Sequence, residues 1–482
     1  MTDRLSPQDT SFLHLEDSSA HMHVAGAMLF AGGAPDYDEF IESIESRLHL
    51  VPRYRQKLAY VPLGQGRPKW VDDPHLNLHY HVRLTALPAP GSEDQLRTLA
   101  GRVFSQQLDR GKPLWEIWLV DGLEGDRFAV LSKTHHALVD GISGVDLVSV
   151  LFDLDPEPAA PALPARRWAP RPMPSGAQLL GEALRERSSV PSEVVRSVRA
   201  GLRAPMRLAS GMRESLGGIS AMARAGLDLA PHSPYNDDIG PHRRFTWTRT
   251  WLGDVKAIKN ELGGTVNDVV LAMVSGALAR HLKRRDEDIS ELELKAMVPV
   301  SVRSAEQRGA LGNQVAAIWA PLPVWCEDPV ERLHLISEAM QGLKEGKQAV
   351  GAQVLTELSG FAPATILNQA SRLMARQRFF NLVVTNVPGP QVPLYLMGRE
   401  MIDLFPMVPL AAKQALGIAL MSYNGRLNFG LTGDYDLMPD LDDLAGDLHA
   451  ALAELADAAG TSVTTPPPVV PAPVEQESAP AE

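Results

Sequence analysis

The 482-residue chain has very little cysteine and no long apolar run. Its single cysteine, Cys326, excludes an intramolecular disulfide and a cysteine-rich metal site, and it suits a reducing compartment. No run of about 18 apolar residues is present, and the acidic start from Met1 to Glu16 lacks the basic and apolar regions of a signal peptide. We therefore expect a protein that is made and kept in the cytoplasm.

Basic residues are outnumbered, because 46 Lys and Arg face 58 Asp and Glu and leave a net charge of −12. Phosphate backbones repel such a chain, so nucleic acid is not expected as a partner. Hydrophobic residues make up 45% of the chain and charged residues 22%, as in ordinary globular proteins, and these proportions exclude wholesale disorder.

Motifs for nucleotide binding and for nucleophilic catalysis are incomplete. The Gly-Gln-Gly run at 64–66 lacks the third glycine of a dinucleotide-binding turn, and the Gly-Lys-Gln run at 346–348 lacks the Walker spacing and hydroxyl. The Gly-Ile-Ser-Gly run at 141–144 falls one residue short of the hydrolase elbow. Neither a nucleotide cofactor nor a covalent acyl-enzyme is predicted.

Composition divides the chain into four parts. Residues 1–154 and 241–460 both mix strand and helix patterns and are predicted as two halves of similar architecture. Residues 155–240 begin with a linker of seven prolines and continue as an arginine-rich helical crossover, whose stretch 175–230 carries a net charge of +3. This stretch is either a solvated crossover or a segment on a membrane surface. Residues 461–482 form a Pro-rich tail that should be disordered.

The strongest local patterns are two strand pairs and one amphipathic helix. The second strand pair flanks Asn424-Gly425, the dipeptide most typical of a tight hairpin. Apolar residues in the helix recur at helical spacing, which predicts that one face is buried. The predicted elements are the strands Trp115–Val120, Arg127–Thr134, Ala415–Tyr423 and Arg426–Thr432 and the helix Val266–Leu282.

The most informative segment is the tandem pair His135-His136, followed by Asp140 and Gly141 at the end of a predicted strand. If the strand continues through both histidines, they point apart, which disfavours a metal ion held by both. An imidazole with its ordinary pKa near ~6.5 can accept a proton from a hydroxyl, so we predict His136 as a general base with His135 packed or hydrogen-bonded behind it. Asp140 could orient the histidine, pair with a distant arginine, or stabilise the turn that Gly141 permits.

A second candidate site is Asn267-Asp268. Thr265 and Asp268 fit a capping box, which is a structural role, and Asn267 then falls in the first helical turn. A helix N-terminus with an amide also suits a developing oxyanion, so both interpretations stay open. Two further pairs lack a nearby third metal ligand and are interpreted as structural or surface residues: His21-x-His23 and His79-x-His81.

Taken together, several ordered motifs resemble the bacterial wax ester synthase/acyl-CoA:diacylglycerol acyltransferase family over most of the chain. The matching segments are Leu5 to Phe12, Pro113 to Glu116, His135 to Gly141, Thr265 to Asp268, Pro299 to Arg303, Gly312 to Gln314 and Asn386 to Pro390. The resemblance implies a mixed α/β fold like that of chloramphenicol acetyltransferase and condensation domains. Such a fold has two halves, each a mixed sheet with packed helices, and a tunnel at their interface.

The resemblance also implies transfer of a long-chain acyl group from acyl-CoA to diacylglycerol or a fatty alcohol, with His136 as the base. The further implied site residues are Asp140 and Gly141, which shape the site, Asn267 and Asp268, which support it from the second half, and Pro113, Leu114 and Trp115, near the acyl-acceptor path. Such chemistry requires no metal and no redox cofactor, since acyl-CoA is a co-substrate.

Long-chain substrates partition into bilayers, so we expect peripheral association with the inner face of the membrane or with lipid droplets. Two other functions remain open at this point. One is a condensation-type acyltransferase that takes its acyl group from a carrier protein, and the other is a non-catalytic lipid-binding protein that retains the histidine motif.

Overall fold

The computed structural model describes residues 4–139, 151–158, 168–186, 229–301, 315–345 and 379–464. The helices are α1 Pro7–Leu15, α2 Tyr37–Arg47, α3 Leu78–His81, α4 Glu93–Phe104, α5 His136–Val139, α6 176–186, α7 Leu252–Leu262, α8 Val266–Arg284, α9 Pro329–Glu345 and α10 Leu441–Ala458. The strands are β1 His23–Ala31, β2 Gln56–Ala59, β3 Lys69–Asp72, β4 Val82–Ala86, β5 Trp115–Leu123, β6 Arg127–His135, β7 Arg243–Trp251, β8 Glu293–Ser301, β9 Val315–Pro323, β10 Leu382–Pro388, β11 Tyr395–Leu396, β12 Arg399–Met407, β13 Leu416–Tyr423 and β14 Arg426–Asp434.

Two six-stranded mixed sheets form the framework of the fold. The first sheet has the strand order β11-β12-β1-β6-β5-β4, and the second has the order β7-β14-β13-β10-β8-β9. In the first sheet β6 is central, because it pairs antiparallel with both β1 and β5. The predicted mixed α/β architecture with helices packed on two sheets is confirmed.

The two sheets do not divide cleanly along the chain. Strand β12 comes from the C-terminal part of the sequence, yet it pairs antiparallel with β1 in the first sheet. Residues 395–407 were predicted to belong to the C-terminal half, 241–460. They form strands β11 and β12 and complete the first sheet instead. Sequence position alone does not show this exchange, because strand pairing brings together segments that are far apart in the chain.

The predicted hairpin around Asn424-Gly425 is confirmed. Strands β13 and β14 pair antiparallel, with Tyr423 opposite Arg426. Both turn residues have positive φ, 44° at Asn424 and 80° at Gly425. A two-residue turn with this geometry suits the twist of the flanking strands, and this is the reason for its Asn-Gly sequence.

The interface between the sheets is an apolar core. Trp247 of β7 stacks on Phe405 of β12 with ring centroids 5.0 Å apart. These rings belong to one buried cluster with Ala27 and Leu131 of the first sheet. At Gly430 of β14 any side chain would collide with the carbonyl of Pro406, so glycine permits the close approach of the two sheets. Strands β12 and β14 of the two sheets are thus packed tightly against each other.

Helix α8 lies inside the core of the second half. It begins at the N-cap Thr265 and ends at Arg284, close to the predicted helix. Residues 268–279 are buried, and His281 at its end bonds through Nδ1 to the Tyr235 hydroxyl at 2.8 Å. No single described helix has the length and apolarity needed to cross a bilayer, although α7 and α8 together pass on length and composition across a 99° bend.

Only part of the crossover lies within the described residues. Helix α6 packs on the β2–β3 hairpin, where Leu179 and Ala183 join Val61 and Val71 in a small buried cluster. The remainder of the arginine-rich segment, residues 187–228, lies outside the described residues, as does the predicted tail beyond 464.

Candidate functional site

Strand β6 delivers the tandem histidines to the end of the first sheet. All nine residues of β6 are buried, and the strand ends at His135. His136 is the first residue of α5, so the backbone turns between the two histidines. The His136 N–H donates to the carbonyl of Met22 at 2.8 Å, and the next N–H, of Ala137, donates to Nδ1 of His135 at 3.0 Å. The two rings consequently have different surroundings.

His135 is fully buried, and both of its ring nitrogens have partners. Nδ1 accepts the hydrogen bond from Ala137, so the proton of a neutral ring is on Nε2, which lies 3.2 Å from the Glu16 carboxylate. A nitrogen with a committed lone pair cannot also take a proton from a substrate. The prediction that His135 is hydrogen-bonded behind His136 agrees with this geometry.

Glu16 links His135 to two other groups. Its Oε1 lies 3.3 Å from Nε2 of His23, and its Oε2 accepts a hydrogen bond from Nε of Arg110 at 2.9 Å. Burial alone raises the pKa of Glu16, but hydrogen bonds from His135 and His23 and the charge of Arg110 outweigh it, and the pKa lies below its usual range. Glu16 is therefore an ionised carboxylate directly behind the tandem histidines.

The ring of His136 is half-buried and stacks on Phe12 of α1, with centroids 3.9 Å apart and planes inclined by 26°. Burial lowers the pKa of His136 to about 4, because the charged form loses its hydration. A hydrogen bond to its own backbone and the charge of Asp9 act in the opposite direction. At neutral pH this imidazole is unprotonated and able to accept a proton.

His136 lies where the two halves of the molecule meet. Phe12, which stacks on its ring, also packs against the large apolar cluster of the second half. Met22, whose carbonyl accepts from His136, belongs to that same cluster. The ring is therefore held between the end of the first sheet and the core of the second half.

A cavity of about 700 Å³ opens elsewhere between the halves, between α4 and β7. It is lined by residues of both halves, among them Arg97, Arg102, Arg243 and Arg244, and His136 is not one of its lining residues. The chain that follows α5, residues 140–150, lies outside the described residues. The predicted tunnel at His136 thus stays a prediction, as do the roles of Asp140 and Gly141, which fall in that segment.

The structure places Pro113, Leu114 and Trp115 in the core, directly beside β6. The carbonyl of Leu114 accepts a hydrogen bond from the His135 N–H at 3.0 Å. Trp115 is 1% exposed, donates from Nε1 to the Tyr54 carbonyl at 2.8 Å, and stacks on His81. This segment supports the backbone of the histidine motif, and its contact with a substrate stays a prediction.

Asn267 and Asp268 begin α8. Asp268 is 2% exposed and completes the capping box, since it accepts from the Thr265 N–H at 2.8 Å while its own N–H donates to the Thr265 hydroxyl at 3.3 Å. Its second contact is the Ser337 hydroxyl at 3.4 Å. Asp268 therefore has a structural role in the described residues, and support of the site by Asn267, which is half-buried, stays a prediction.

Sequence reasoning missed the parts played by Phe12, Glu16 and His23. Phe12 lies in one of the family motifs, but nothing in its spacing points to a ring 124 positions later in the chain. His23, interpreted as a structural or surface residue, is 1% exposed and contacts Glu16. The only signal for Glu16 is a carboxylate at the C-terminal end of α1, where a negative charge is unfavourable. In the described part of the chain, no group of three or more His, Cys, Asp or Glu side chains is arranged to hold a metal ion.

Two family models match the sequence. Residues 5–270 match the wax ester synthase/diacylglycerol acyltransferase catalytic domain, and residues 311–456 match the WS/DGAT C-terminal domain. The first match covers more than half of the chain and includes the tandem histidines and Asn267-Asp268.

Two relatives of similar length resemble this chain over nearly its whole length. The probable diacylglycerol O-acyltransferase tgs2 of Mycobacterium tuberculosis is 35% identical over 471 residues, which are 95% of this chain and 100% of the relative. The probable diacylglycerol O-acyltransferase tgs1 of the same organism is 34% identical over 465 residues, which are 94% of this chain and 95% of the relative.

Two solved structures also resemble this chain over nearly its whole length. The wax ester synthase/diacylglycerol acyltransferase from Marinobacter aquaeolei VT8 is 29% identical, with a TM-score of 0.67, and the alignment covers 95% of this chain and 100% of that one. The starter condensation domain of rhizomide synthetase, 12% identical over 95% and 94% of the two chains with a TM-score of 0.58, shares the fold with its two chloramphenicol-acetyltransferase-like halves. From these matches and from the placement of the histidine motif, the chain belongs to the wax ester synthase/diacylglycerol acyltransferase family and is an acyltransferase.

Proposed function

We propose that this enzyme transfers a long-chain acyl group from acyl-CoA to the hydroxyl of diacylglycerol, a fatty alcohol, or both, with His136 as the general base. The observation that carries the proposal is the difference between the two histidines. His135 has both ring nitrogens engaged, whereas His136 is unprotonated at neutral pH and lies at the junction of the halves. The names of the mycobacterial relatives favour diacylglycerol as an acceptor.

The proposed acyl transfer needs one group that carries a proton, and His136 is that group. His136 removes the proton of the acceptor hydroxyl as its oxygen attacks the thioester carbonyl, which forms a tetrahedral intermediate. When the C–S bond breaks, the imidazolium returns the proton to sulfur, and the products are the ester and the CoA thiol.

This sequence of steps consumes no metal, redox or nucleotide cofactor, and acyl-CoA is a co-substrate. The negative charge on the intermediate needs hydrogen-bond donors. Asn267 at the N-terminus of α8, with Asp268 shaping that turn, is our proposed support from the second half. Asp140 and Gly141 are proposed to shape the site beside His136, and Pro113, Leu114 and Trp115 to border the acceptor path.

The direct test uses purified protein, radiolabelled long-chain acyl-CoA and separate diacylglycerol and fatty alcohol acceptors, with products separated by thin-layer chromatography. His136→Ala should lower the rate by about 10² to 10⁴ while the circular dichroism spectrum is unchanged. The exposed His79, on the short helix α3, provides the matched control, and His79→Ala should leave the rate unchanged. Wild-type turnover by His136→Ala would eliminate His136 as the base.

The same assay distinguishes the donor. An enzyme that accepts the acyl group only from a phosphopantetheine carrier protein would show little turnover with free acyl-CoA, and the proposed donor would then be wrong. Ester formation from acyl-CoA alone supports the proposal. Comparing initial rates on the two acceptors decides between triacylglycerol and wax ester synthesis.

We also propose that the enzyme associates peripherally with the membrane or with lipid droplets, where long-chain acceptors are concentrated. Leu63, on the loop between β2 and β3, is 86% exposed, and Leu184 on α6 is 52% exposed. In the sequence Leu184 belongs to the arginine-rich stretch 175–230, and apolar side chains presented to solvent together with basic residues suit an anionic lipid surface. In a flotation assay with phosphatidylglycerol vesicles, the wild type should float and a Leu63→Ser, Leu184→Ser variant should bind less. Equal flotation of both proteins would exclude this surface.

A further inference from the structure

Glu16 lies where an ionised carboxylate is unfavourable on two counts. It is the C-cap of α1, at the negative end of the helix dipole, and its side chain is only 3% exposed. Burial of a charge costs free energy unless partners compensate for the lost hydration. Since α1 gains nothing from a carboxylate at this end, the position of Glu16 is explained by the groups that it contacts.

The carboxylate joins the two central strands of the first sheet. His23 of β1 and His135 of β6 are direct register partners, and their ring centroids lie 5.8 Å apart. Oε1 of Glu16 contacts His23 at 3.3 Å, and Oε2 contacts His135 at 3.2 Å. Arg110 donates both to Oε2 and to the carbonyl of Leu13 at 2.9 Å, so it neutralises the carboxylate and the end of α1 together.

The hydrogen bond from His135 to Glu16 determines which nitrogen of His135 carries the proton. With the proton on Nε2, Nδ1 is free to accept the N–H of Ala137, one of the unsatisfied donors in the first turn of α5. On the other side of the same turn, the His136 N–H is bound to Met22. The backbone of His136 is thus fixed on both sides, and one of these two attachments depends on the tautomer of His135.

Helix α1 contacts both members of the tandem pair. Phe12 and Glu16 are four residues apart, so they project from the same side of the helix. Phe12 stacks on the ring of His136, while Glu16 binds the ring of His135. One rigid element therefore orients one histidine by ring contact and the other by a hydrogen bond.

We propose that Glu16 is a positioning residue for acyl transfer, which holds His135 in the Nε2–H tautomer and thereby fixes the turn that carries His136. This inference rests on the proposed function, because it takes His136 as the base. It assigns to Glu16 an action through His135 and not a contact with either substrate. A loss of this contact should lower kcat and leave KM for acyl-CoA and for the acceptor unchanged.

Two variants of Glu16 separate the reach of its side chain from its charge. Glu16→Asp keeps the charge and the partner of Arg110, but it withdraws the carboxylate by about 1.5 Å, the length of one C–C bond. We expect kcat to fall about tenfold, because small displacements of a catalytic group are costly. Glu16→Gln keeps the reach, and its amide can accept from His135 and donate to a neutral His23, so kcat should stay within about threefold of wild type.

The action through His135 is tested by a double-mutant cycle. His135→Phe keeps a ring of similar size but has no ring nitrogen, so Glu16→Asp should lower kcat no further in that background. The matched control is Glu93→Asp. Glu93 is a half-buried carboxylate with Arg127, Arg249 and Trp247 as partners, at the opposite end of β6 from His135. This control should lose stability but keep its kcat.

The outcomes distinguish this inference from the function on which it rests. If His136→Ala is inactive while Glu16→Asp has the kcat of wild type, the positioning role is wrong and the base assignment stands. The positioning role would also be wrong if Glu16→Asp lowered kcat equally in the wild-type and His135→Phe backgrounds. The same conclusion would follow if the Glu16 variants raised KM at unchanged kcat, or if Glu16→Gln lowered kcat more than Glu16→Asp. Wild-type turnover by His136→Ala would refute the proposed function instead.

Discussion

The low pKa of His136 predicts an unusual pH profile for an enzyme that uses an imidazole base. With the pKa of about 4 that burial produces, the ring stays available well below neutral pH. At pH 5 about 90% of such a ring is unprotonated, against about 3% for an imidazole with a pKa near 6.5. The plot of kcat/KM against pH should therefore be nearly flat from pH 7 to pH 5, where an ordinary histidine would lose about 25-fold.

The assay is initial rate at low acyl-CoA concentration with a saturating acceptor, measured from pH 4.5 to 8 in buffers of constant ionic strength. The profile of kcat/KM reports groups of the free enzyme, which is the state described by the structure. An acidic limb centred between pH 6 and 7 would refute the reasoning, because it would show that the ring of His136 is as hydrated as that of a surface histidine.

Folding must be followed in the same pH range, because several buried histidines share this direction of shift. Burial lowers the pKa of His23 to about 4 and also lowers the pKa values of His21, His81 and His281. Between about pH 6.5 and 4 the unfolded chain binds more protons than the folded one, so the free energy of unfolding decreases as the pH falls. Circular dichroism at each pH separates this loss of structure from protonation of the base.

Four substitutions test other parts of the site. Phe12→Leu keeps the apolar contact with the second half but removes the stacking on His136. It should lower the free energy of unfolding by about 0.5–1.5 kcal/mol, measured by thermal unfolding, and lower kcat about tenfold. An unchanged kcat would contradict a role of the Phe12 ring in orienting the base. Thr265→Ala and Asp268→Ala each remove one side-chain hydrogen bond of the capping box and should each cost about 1 kcal/mol with little change in rate. A large rate loss in Asp268→Ala alone would indicate a catalytic role. Trp115→Phe leaves the Tyr54 carbonyl unsatisfied and should cost about 1–3 kcal/mol in urea unfolding. If Trp115 borders the acceptor path as proposed, the smaller ring should also change the preferred alcohol length, and an unchanged preference would contradict that placement.

The strand that ends at the histidine motif and the hairpin at Asn424-Gly425 could be predicted from the sequence because their signals are local. Alternation of side chains places the histidines at the end of a strand, and the Asn-Gly dipeptide has the backbone freedom that a two-residue turn needs. The same is true of α8, whose N-cap Thr265 and apolar spacing lie within one segment. The order of the motifs along the chain was enough to indicate the family.

The tertiary structure decided which residues contact the side chains of these motifs. His135 and Glu16 are 119 positions apart, and no local pattern links a residue at the end of α1 to one at the end of β6. The same holds for Phe12 on His136 and for β12, which crosses from the C-terminal part of the chain into the first sheet. The sequence by itself determined which residue types stand ready for acyl transfer and on which elements they lie. Only the folded chain decided which imidazole has both ring nitrogens engaged and which lies at the junction of the two halves, because that depends on burial and on hydrogen-bond partners that long-range packing brings together.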